Sequence, residues 1–347
     1  MKSILEFNRE ELKAELEKMG LKLFRSLQIF DWIYKKSIFD FKGMRNISKE
    51  DQDHLLRKFT VIDLTVAKEV RTDDGEIAKY LFKTGDDHFI ETVLIKKDGA
   101  LKNTLCVSSQ IGCSLNCRFC ATARIGLIRN LSVSEILSQV LLISREMSKS
   151  CEHISNIVFM GMGEPFLNYD PVLKALKILN DKEGYALGAR HMTVSTAGLI
   201  EGIKRFMDED HQFRLAVSLN SPLQHIRESI MPLAKRVTLE TLIRALKQYQ
   251  AKTKRRITFE YIMLNEVNMD EDHVLALSRL LKGFKYNLNI IRYNPSRDDH
   301  GWMPSVSEVS TFKQRLKKNN IHYNERLSKG DSIGAGCGQL GMERSKY

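Results

Sequence analysis

The sequence predicts an α/β protein, a partial or complete (β/α) barrel behind a small helical amino-terminal domain. Two observations carry this expectation. Between Ser132 and Asn319 short apolar runs alternate with amphipathic stretches of helical length, whereas before Phe59 the apolar residues recur at helical spacing alone. Strand and helix in repeated alternation mean parallel strands joined by crossover helices.

From Glu10 to about Phe59 the pattern is helical, with Leu27, Phe30, Ile33 and Tyr34 three and four apart as one buried stripe. From Val61 to Ile95 it changes to alternation: Ala78 to Phe82 and Phe89 to Ile95 flank a Gly85-Asp86-Asp87 turn as a hairpin, and Lys97-Asp-Gly-Ala100 makes a further turn. Ser132 to Met147 is an expected helix, with Ser132 as N-cap and Glu135 at the capping-box position. Expected strands follow at Ile154 to Met160, His191 to Ser195, Leu215 to Leu219, Ile257 to Leu264 and Asn287 to Tyr293. Between and after them come expected helices at Tyr169 to Leu179, Gly198 to Met207, Leu239 to Thr253, Glu271 to Leu281 and Val306 to Asn319. The chain thus divides into a helical domain (1–60), a hairpin and linker region (61–100), a barrel core (101–300), and a final helix with a glycine-rich tail (301–347).

Composition narrows the class. Hydrophobic residues at 43% and charged ones at 28% describe an ordinary globular protein. The run from Met1 to Lys13 has no apolar core of signal-peptide length, and no stretch approaches the roughly eighteen apolar residues of a membrane span, so a cytoplasmic protein without a membrane partner is expected. In that reducing compartment six cysteines point to metal or catalytic work rather than disulfides. A net charge of +11, with basic runs at Lys252-Thr-Lys-Arg-Arg256 and Lys313 to Lys318, suits a polyanion such as nucleic acid.

Half of the six cysteines lie within eight residues: Cys113, Cys117 and Cys120, spaced C-x3-C-x2-C. Thiolates are soft ligands for zinc or iron–sulfur clusters, and a closed zinc site would want a fourth ligand, usually as a second C-x2-C or a histidine pair, which this chain lacks. A 4Fe-4S cluster on three cysteines leaves one iron free for a small molecule, the logic of the radical S-adenosylmethionine (SAM) enzymes, whose motif this run resembles.

Chemistry in such barrels sits where strands end. Ile157-Val-Phe-Met160 runs into Gly161-Met-Gly-Glu-Pro165, where glycine lets the backbone approach a ligand and Glu164 can take the charged amino group of an amino-acid-like cofactor. Ser195-Thr196, Ser218-Leu-Asn220 and Asn294-Pro295 close other strands with side chains that both donate and accept hydrogen bonds. Singly each is more often a cap or turn; their recurrence at one end of successive strands favours a site.

With these residues assembled, the chain resembles the RlmN/Cfr family of radical SAM RNA methyltransferases over nearly its whole length. The carrying segments are Arg25-Ser-Leu-Gln-Ile-Phe-Asp-Trp-Ile-Tyr34, Glu91-Thr-Val93, the run from Cys106 to Cys120, Met160-Gly-Met-Gly-Glu-Pro165, Ser218-Leu-Asn220, Asn294-Pro295 and Cys337-Gly-Gln-Leu340. The resemblance implies a 4Fe-4S cluster on Cys113, Cys117 and Cys120, with S-adenosyl-L-methionine contacts at Gly163, Glu164, Ser195, Ser218, Leu219, Asn220 and Asn294. The implied substrate is an adenosine of 23S rRNA, in some members also of tRNA, methylated at C2 in the RlmN branch and at C8 in the Cfr branch.

Such a carbon is electrophilic, so direct attack on the sulfonium methyl has no nucleophile to use. The family solution implies that Cys337 first takes a methyl from one SAM, that a second SAM yields a 5′-deoxyadenosyl radical, and that this radical abstracts hydrogen from the methylated cysteine, which then adds to the base. Cys106 releases the product by attacking the Cys337 sulfur, leaving a transient disulfide, and Glu91 accepts the ring proton. An electron donor such as flavodoxin and a monomeric enzyme are implied as well. The chain departs from the family pattern at Asn220, where histidine is common, and in Asp331-Ser-Ile-Gly-Ala-Gly336, a looser approach to the tail cysteine.

Two other readings compete. A different radical SAM RNA modifier, such as a methylthiotransferase, wants three more grouped cysteines, but Cys106, Cys151 and Cys337 are scattered. The other is a non-catalytic RNA-binding protein with a structural zinc.

Overall fold

A computed structural model describes residues 1–96, 103–295, 301–326 and 330–341; the turn expected at Lys97-Asp-Gly-Ala100 lies outside the described residues. The amino-terminal region pairs two short strands, β1 (Lys2–Ser3) and β2 (Phe59–Thr60), around α1 (Arg9–Lys18), α2 (Arg25–Phe30) and α3 (Lys49–Lys58). Asn8 caps α1 with a reciprocal bond to Glu11, which satisfies two of the amide groups a helix start leaves free. Phe30, Ile33 and Tyr34 are buried as their spacing predicts, but Leu27 is 44% exposed, because a π-helical turn at Asp31–Lys35 rotates the stripe.

The rest is built on one sheet of ten strands. Its antiparallel part is β3 (Leu64–Arg71), β4 (Ile77–Thr84) and β5 (Phe89–Ile95), joined to β6 (Asn103–Cys106). A small hairpin of β7 (Gln110–Gly112) and β8 (Leu127–Asn130) flanks α4 (Ala121–Arg124), and α5 (Val133–Ser148) follows. Then strands and helices alternate: β9 (Ile154–Phe159), α6 (Tyr169–Asn180), β10 (Met192–Thr196), α7 (Ile200–Asp208), β11 (Arg214–Ser218), α8 (Gln224–Ile230), α9 (Leu239–Thr253), β12 (Ile257–Met263), α10 (Glu271–Leu281), β13 (Tyr286–Arg292), α11 (Val306–Lys318) and β14 (Asn324–Arg326).

The strand order is β14-β13-β12-β11-β10-β9-β6-β5-β4-β3, with β6 and β9 to β14 parallel. Among the described residues the sheet is open, so of the two alternatives the barrel is the partial one. The region expected as a hairpin is a three-stranded meander that extends the barrel sheet through β5 and β6. Ser132 and Glu135 form the expected capping box of α5. One apolar core runs from Leu5 and Leu12 through Ile136, Leu176 and Phe259 to Leu340, so the amino-terminal helices and the tail share it. No helix among the described residues is long and apolar enough to cross a membrane.

Candidate active site

The parallel strands all end at one face, and there a cavity is bordered by Cys113, Cys117, Cys120, Gly163, Glu164, Ser195, Ser218, Asn220 and Cys337. Residues far apart in sequence meet because strand polarity is uniform.

The cysteine loop is held at its base by the β7–β8 hairpin. Gly112, at φ +76°, could not be another residue: a Cβ would lie 1.7 Å from the Gly126 carbonyl oxygen. The Cys113 amide donates to that oxygen at 2.9 Å, the Cys120 amide to Cys117 O at 3.1 Å, and the Arg118 amide to Ile230 O at 3.0 Å. Burial pushes the Cys113 thiol up to about 12 and the Cys117 thiol well above its ordinary value. Such thiols keep their protons until a metal displaces them.

The donor set suits a cluster. Three soft sulfurs border one cavity. A closed zinc site wants a fourth protein ligand; a cluster on three cysteines does not.

The turn after β9 supplies the opposite wall. Gly163 has φ +98°, and a Cβ there would come within 2.5 Å of the Gln110 Cβ. The Gln110 side-chain oxygen accepts from the Glu164 amide at 2.8 Å, which fixes the turn against β7. Gly163→Ala is expected to lower stability by about 1–3 kcal/mol through strain and overpacking, read as a lower denaturant midpoint at unchanged m-value. Glu164 is 3% exposed, and its two oxygens accept from the Ala197 amide at 2.8 Å and the Phe166 amide at 3.1 Å. Burial lifts its carboxyl to about 7 against those bonds. With the Thr196 side chain bonded to it as well, the carboxylate still has room for a further donor.

Asn220 adopts φ +57°, a left-handed conformation that asparagine tolerates. Its Oδ1 accepts from the Ile262 amide at 3.1 Å, and its carbonyl accepts from Asn268 at 2.7 Å, so its backbone and side chain lock β11 to β12. Leu219 is fully buried, and Asn294 is buried and packs against Gly336.

The glycine-rich tail is docked, not loose. Ala335 N–H donates to Gly330 O at 2.7 Å, Gly336 N–H to the Gln339 side chain at 2.9 Å, and the Gln339 amide to Pro295 O at 3.1 Å. Gly338 O accepts from the Ala121 amide at 2.6 Å, and Leu340 O accepts from Thr122 at 2.8 Å. Cys337 is thereby presented to the cavity as an accessible thiol. Burial on its other sides raises it, Glu260 and Cys120 add, and Arg326 opposes.

Cys106 ends β6, its thiol pushed up to about 12 by burial and by Cys337, with Arg326 again opposing. Both are free thiols. The pairing of Val93 with Cys106 puts Glu91 on the same sheet face as Cys106. Glu91 is 2% exposed rather than facing water. Its carboxylate lies 3.8 Å from the buried Lys79 ammonium and accepts the Gly341 amide at 2.6 Å, so it too is tied to the tail.

Sequence reasoning missed Glu260, Arg326 and Arg227. Glu260, a buried acid inside the apolar run of β12, borders the cavity beside Cys337 and was detectable as a charge where a doubly covered strand should be apolar. Arg326, 3.4 Å from Glu260, left no local signal. The basic run Lys252 to Arg256 runs from the last turn of α9 to the start of β12, at the sheet end away from the cavity, with Lys252 paired to Asp208. Cys151 is exposed just past α5 and not part of the core.

Residues 107–277 match the family model described as Radical SAM superfamily, and residues 2–61 match the one described as Ribosomal RNA large subunit methyltransferase N-terminal domain. The chain is 41% identical over 342 residues to a Clostridium novyi (strain NT) protein named probable dual-specificity RNA methyltransferase RlmN, covering 98% of each chain. A Spiroplasma citri protein of the same name is 39% identical over 340 residues, 98% of this chain and 97% of the other. Among solved structures, a radical SAM methyltransferase from Sphaerobacter thermophilus superposes with a TM-score of 0.95 at 39% identity, covering 99% of this chain and 100% of that one.

Proposed function

Since the chain belongs to the RlmN family of radical SAM methyltransferases, we propose that it methylates carbon 2 of an adenosine in 23S rRNA, and of one in tRNA, by way of a methyl group carried on Cys337. The observation that carries this reading is the docked tail: a cysteine 217 residues beyond Cys120 borders the same cavity as Cys113, Cys117, Cys120 and Glu164. A thiol exposed on a tail would need no such anchoring.

Cys113, Cys117 and Cys120 would hold the 4Fe-4S cluster, and Gly163, Glu164, Ser195, Ser218 and Asn220 would line the S-adenosylmethionine site, with Leu219 and Asn294 bracing it from behind. When bound, these groups supply the methyl and a 5′-deoxyadenosyl radical. Cys337 receives the methyl at its sulfur, helped by Arg326, whose charge favours the thiolate there and at Cys106. Cys106 then attacks that sulfur to free the methylated base, and exchange with an external dithiol returns both cysteines to thiols. Glu91, 3.8 Å from the Lys79 amine, takes the ring proton. The substrate RNA, a flavodoxin-like electron donor, a monomeric state and a cytoplasmic setting complete the reading.

Glu164 makes cofactor affinity depend on pH. Its carboxyl, raised to about 7, must be ionised to hold an ammonium group, so affinity is present above that value and lost as pH falls through it. The amino group of the ligand loses its own charge near pH 8, giving an optimum between the two. Dialysis against labelled S-adenosylmethionine should show about sixfold weaker binding at pH 6 than at pH 7.4, and Glu164→Gln should flatten the acid limb.

The reading is tested by incubating anaerobically reconstituted protein with reductant, S-adenosylmethionine and, separately, 23S rRNA and tRNA, then resolving the methyladenosine isomers. 2-Methyladenosine in both supports the proposal. 8-Methyladenosine would move the chain to the other branch, and no methyladenosine from a protein that makes 5′-deoxyadenosine would give it another substrate.

A further inference from the structure

A buried arginine stands on the helix beside the cysteine loop with no counter-ion among the described residues. Arg227, on α8, is fully buried; its Nη2 donates to Ala197 O at 2.7 Å and its Nε to Leu219 O at 3.2 Å. It thereby braces the ends of β10 and β11. Its Nη1 has no partner, and among the described residues no carboxylate pairs with it. Burying an unpaired charge costs several kcal/mol, and burial does pull Arg227 down to about 10. Two carbonyl oxygens alone would be satisfied by a neutral amide side chain, so the retained charge calls for an anion.

The cysteine loop packs against the end of the helix that carries it. The Arg118 amide bonds Ile230 O at the end of α8, and Leu115, Cys117 and Phe119 pack on the cluster of Ala197, Ile230 and Met231. The α8 turn and the cysteine loop are one packed unit. Arg227 sits on that helix, within electrostatic reach of Cys117.

We infer that Arg227 is the counter-charge of the cluster held by Cys113, Cys117 and Cys120, a positioning residue that makes the cluster easier to reduce. The inference rests on the cluster reading above. Three thiolates already make the bound cluster anionic, and reduction by the external electron donor adds one negative charge without making or breaking a bond. A fixed cation in a low-dielectric wall favours the reduced form.

The test is the midpoint potential of the reconstituted protein, followed by electron paramagnetic resonance during a redox titration. Arg227→Gln, which keeps donors for the two carbonyls but no charge, is expected to leave about tenfold less cluster reduced at a fixed potential, a downward shift of about 59 mV. Arg227→Lys, which keeps the charge, should titrate close to the wild type. If the Gln variant takes up no cluster while the Lys variant does so normally, the charge is required already at assembly, which supports the same role. Equal potentials in the wild type and the Gln variant, or failure of both variants to assemble a cluster, would assign Arg227 to bracing the loops and overturn the inference. A wild type that binds no cluster would instead overturn the cluster reading itself.

Discussion

Cys337→Ala is expected to abolish RNA methylation, by about a thousandfold or more, while the cluster, the S-adenosylmethionine affinity and the reductive formation of 5′-deoxyadenosine all survive. The residues concerned lie on separate segments. Cys113, Cys117, Cys120 and Glu164 lie on the loops after β7 and β9, whereas Cys337 reaches the cavity on a tail held by backbone bonds from Ala121 and by the side chains of Gln339 and Thr122. Alanine preserves those bonds and removes the one sulfur. Assay of methyl incorporation beside 5′-deoxyadenosine release reads both halves, and residual methylation in the variant would refute the carrier role.

Cys117→Ala is expected to have a different and wider effect: loss of the brown colour and charge-transfer absorbance, of 5′-deoxyadenosine formation and of methylation together. Three cysteine ligands are the least that holds such a cluster here, and the loop offers no substitute thiol, its other residues being Ser114, Leu115, Asn116, Arg118 and Phe119. Folding should be largely spared, because the loop is anchored by the Cys113, Cys120 and Arg118 backbone bonds and not by the Cys117 thiol. Far-ultraviolet circular dichroism like that of the wild type, with iron and sulfide content near zero, is the expected result. Retention of colour in this variant would move the cluster elsewhere.

Much of this was legible before any coordinates, and the parts that were not have identifiable causes. The bounds of α9 and α10 coincide with the periodic stretches Leu239 to Thr253 and Glu271 to Leu281, because each has a threonine or aspartate N-cap followed by a clear apolar face. Helix α8 escaped notice: seven residues, Gln-His-Ile-Arg-Glu-Ser-Ile, are too few and too polar to show a period. The missed helix carries Arg227, whose significance depends on burial that composition does not reveal. The tail misled in the opposite direction. Its glycines suggested looseness, yet Gly338, at φ +85°, is where the chain presses against the Phe119 carbonyl, 2.9 Å from where a Cβ would stand. The glycines of the tail permit close docking instead of mobility. The basic run Lys252 to Arg256 was visible as charge, but its place at the far end of the sheet came only from the fold.

The most direct test of the account is the isotopic fate of the methyl group. The reconstituted protein is given reductant, methyl-deuterated S-adenosylmethionine and unlabelled 23S rRNA or tRNA, and the nucleosides are weighed by mass spectrometry. Hydrogen abstraction from a methylated Cys337 removes one deuterium before the carbon reaches the base, so the product methyl should retain two deuteriums and carry one ordinary hydrogen. A methyladenosine that keeps all three deuteriums would mean direct transfer from the donor, and the role assigned to Cys337 would fall.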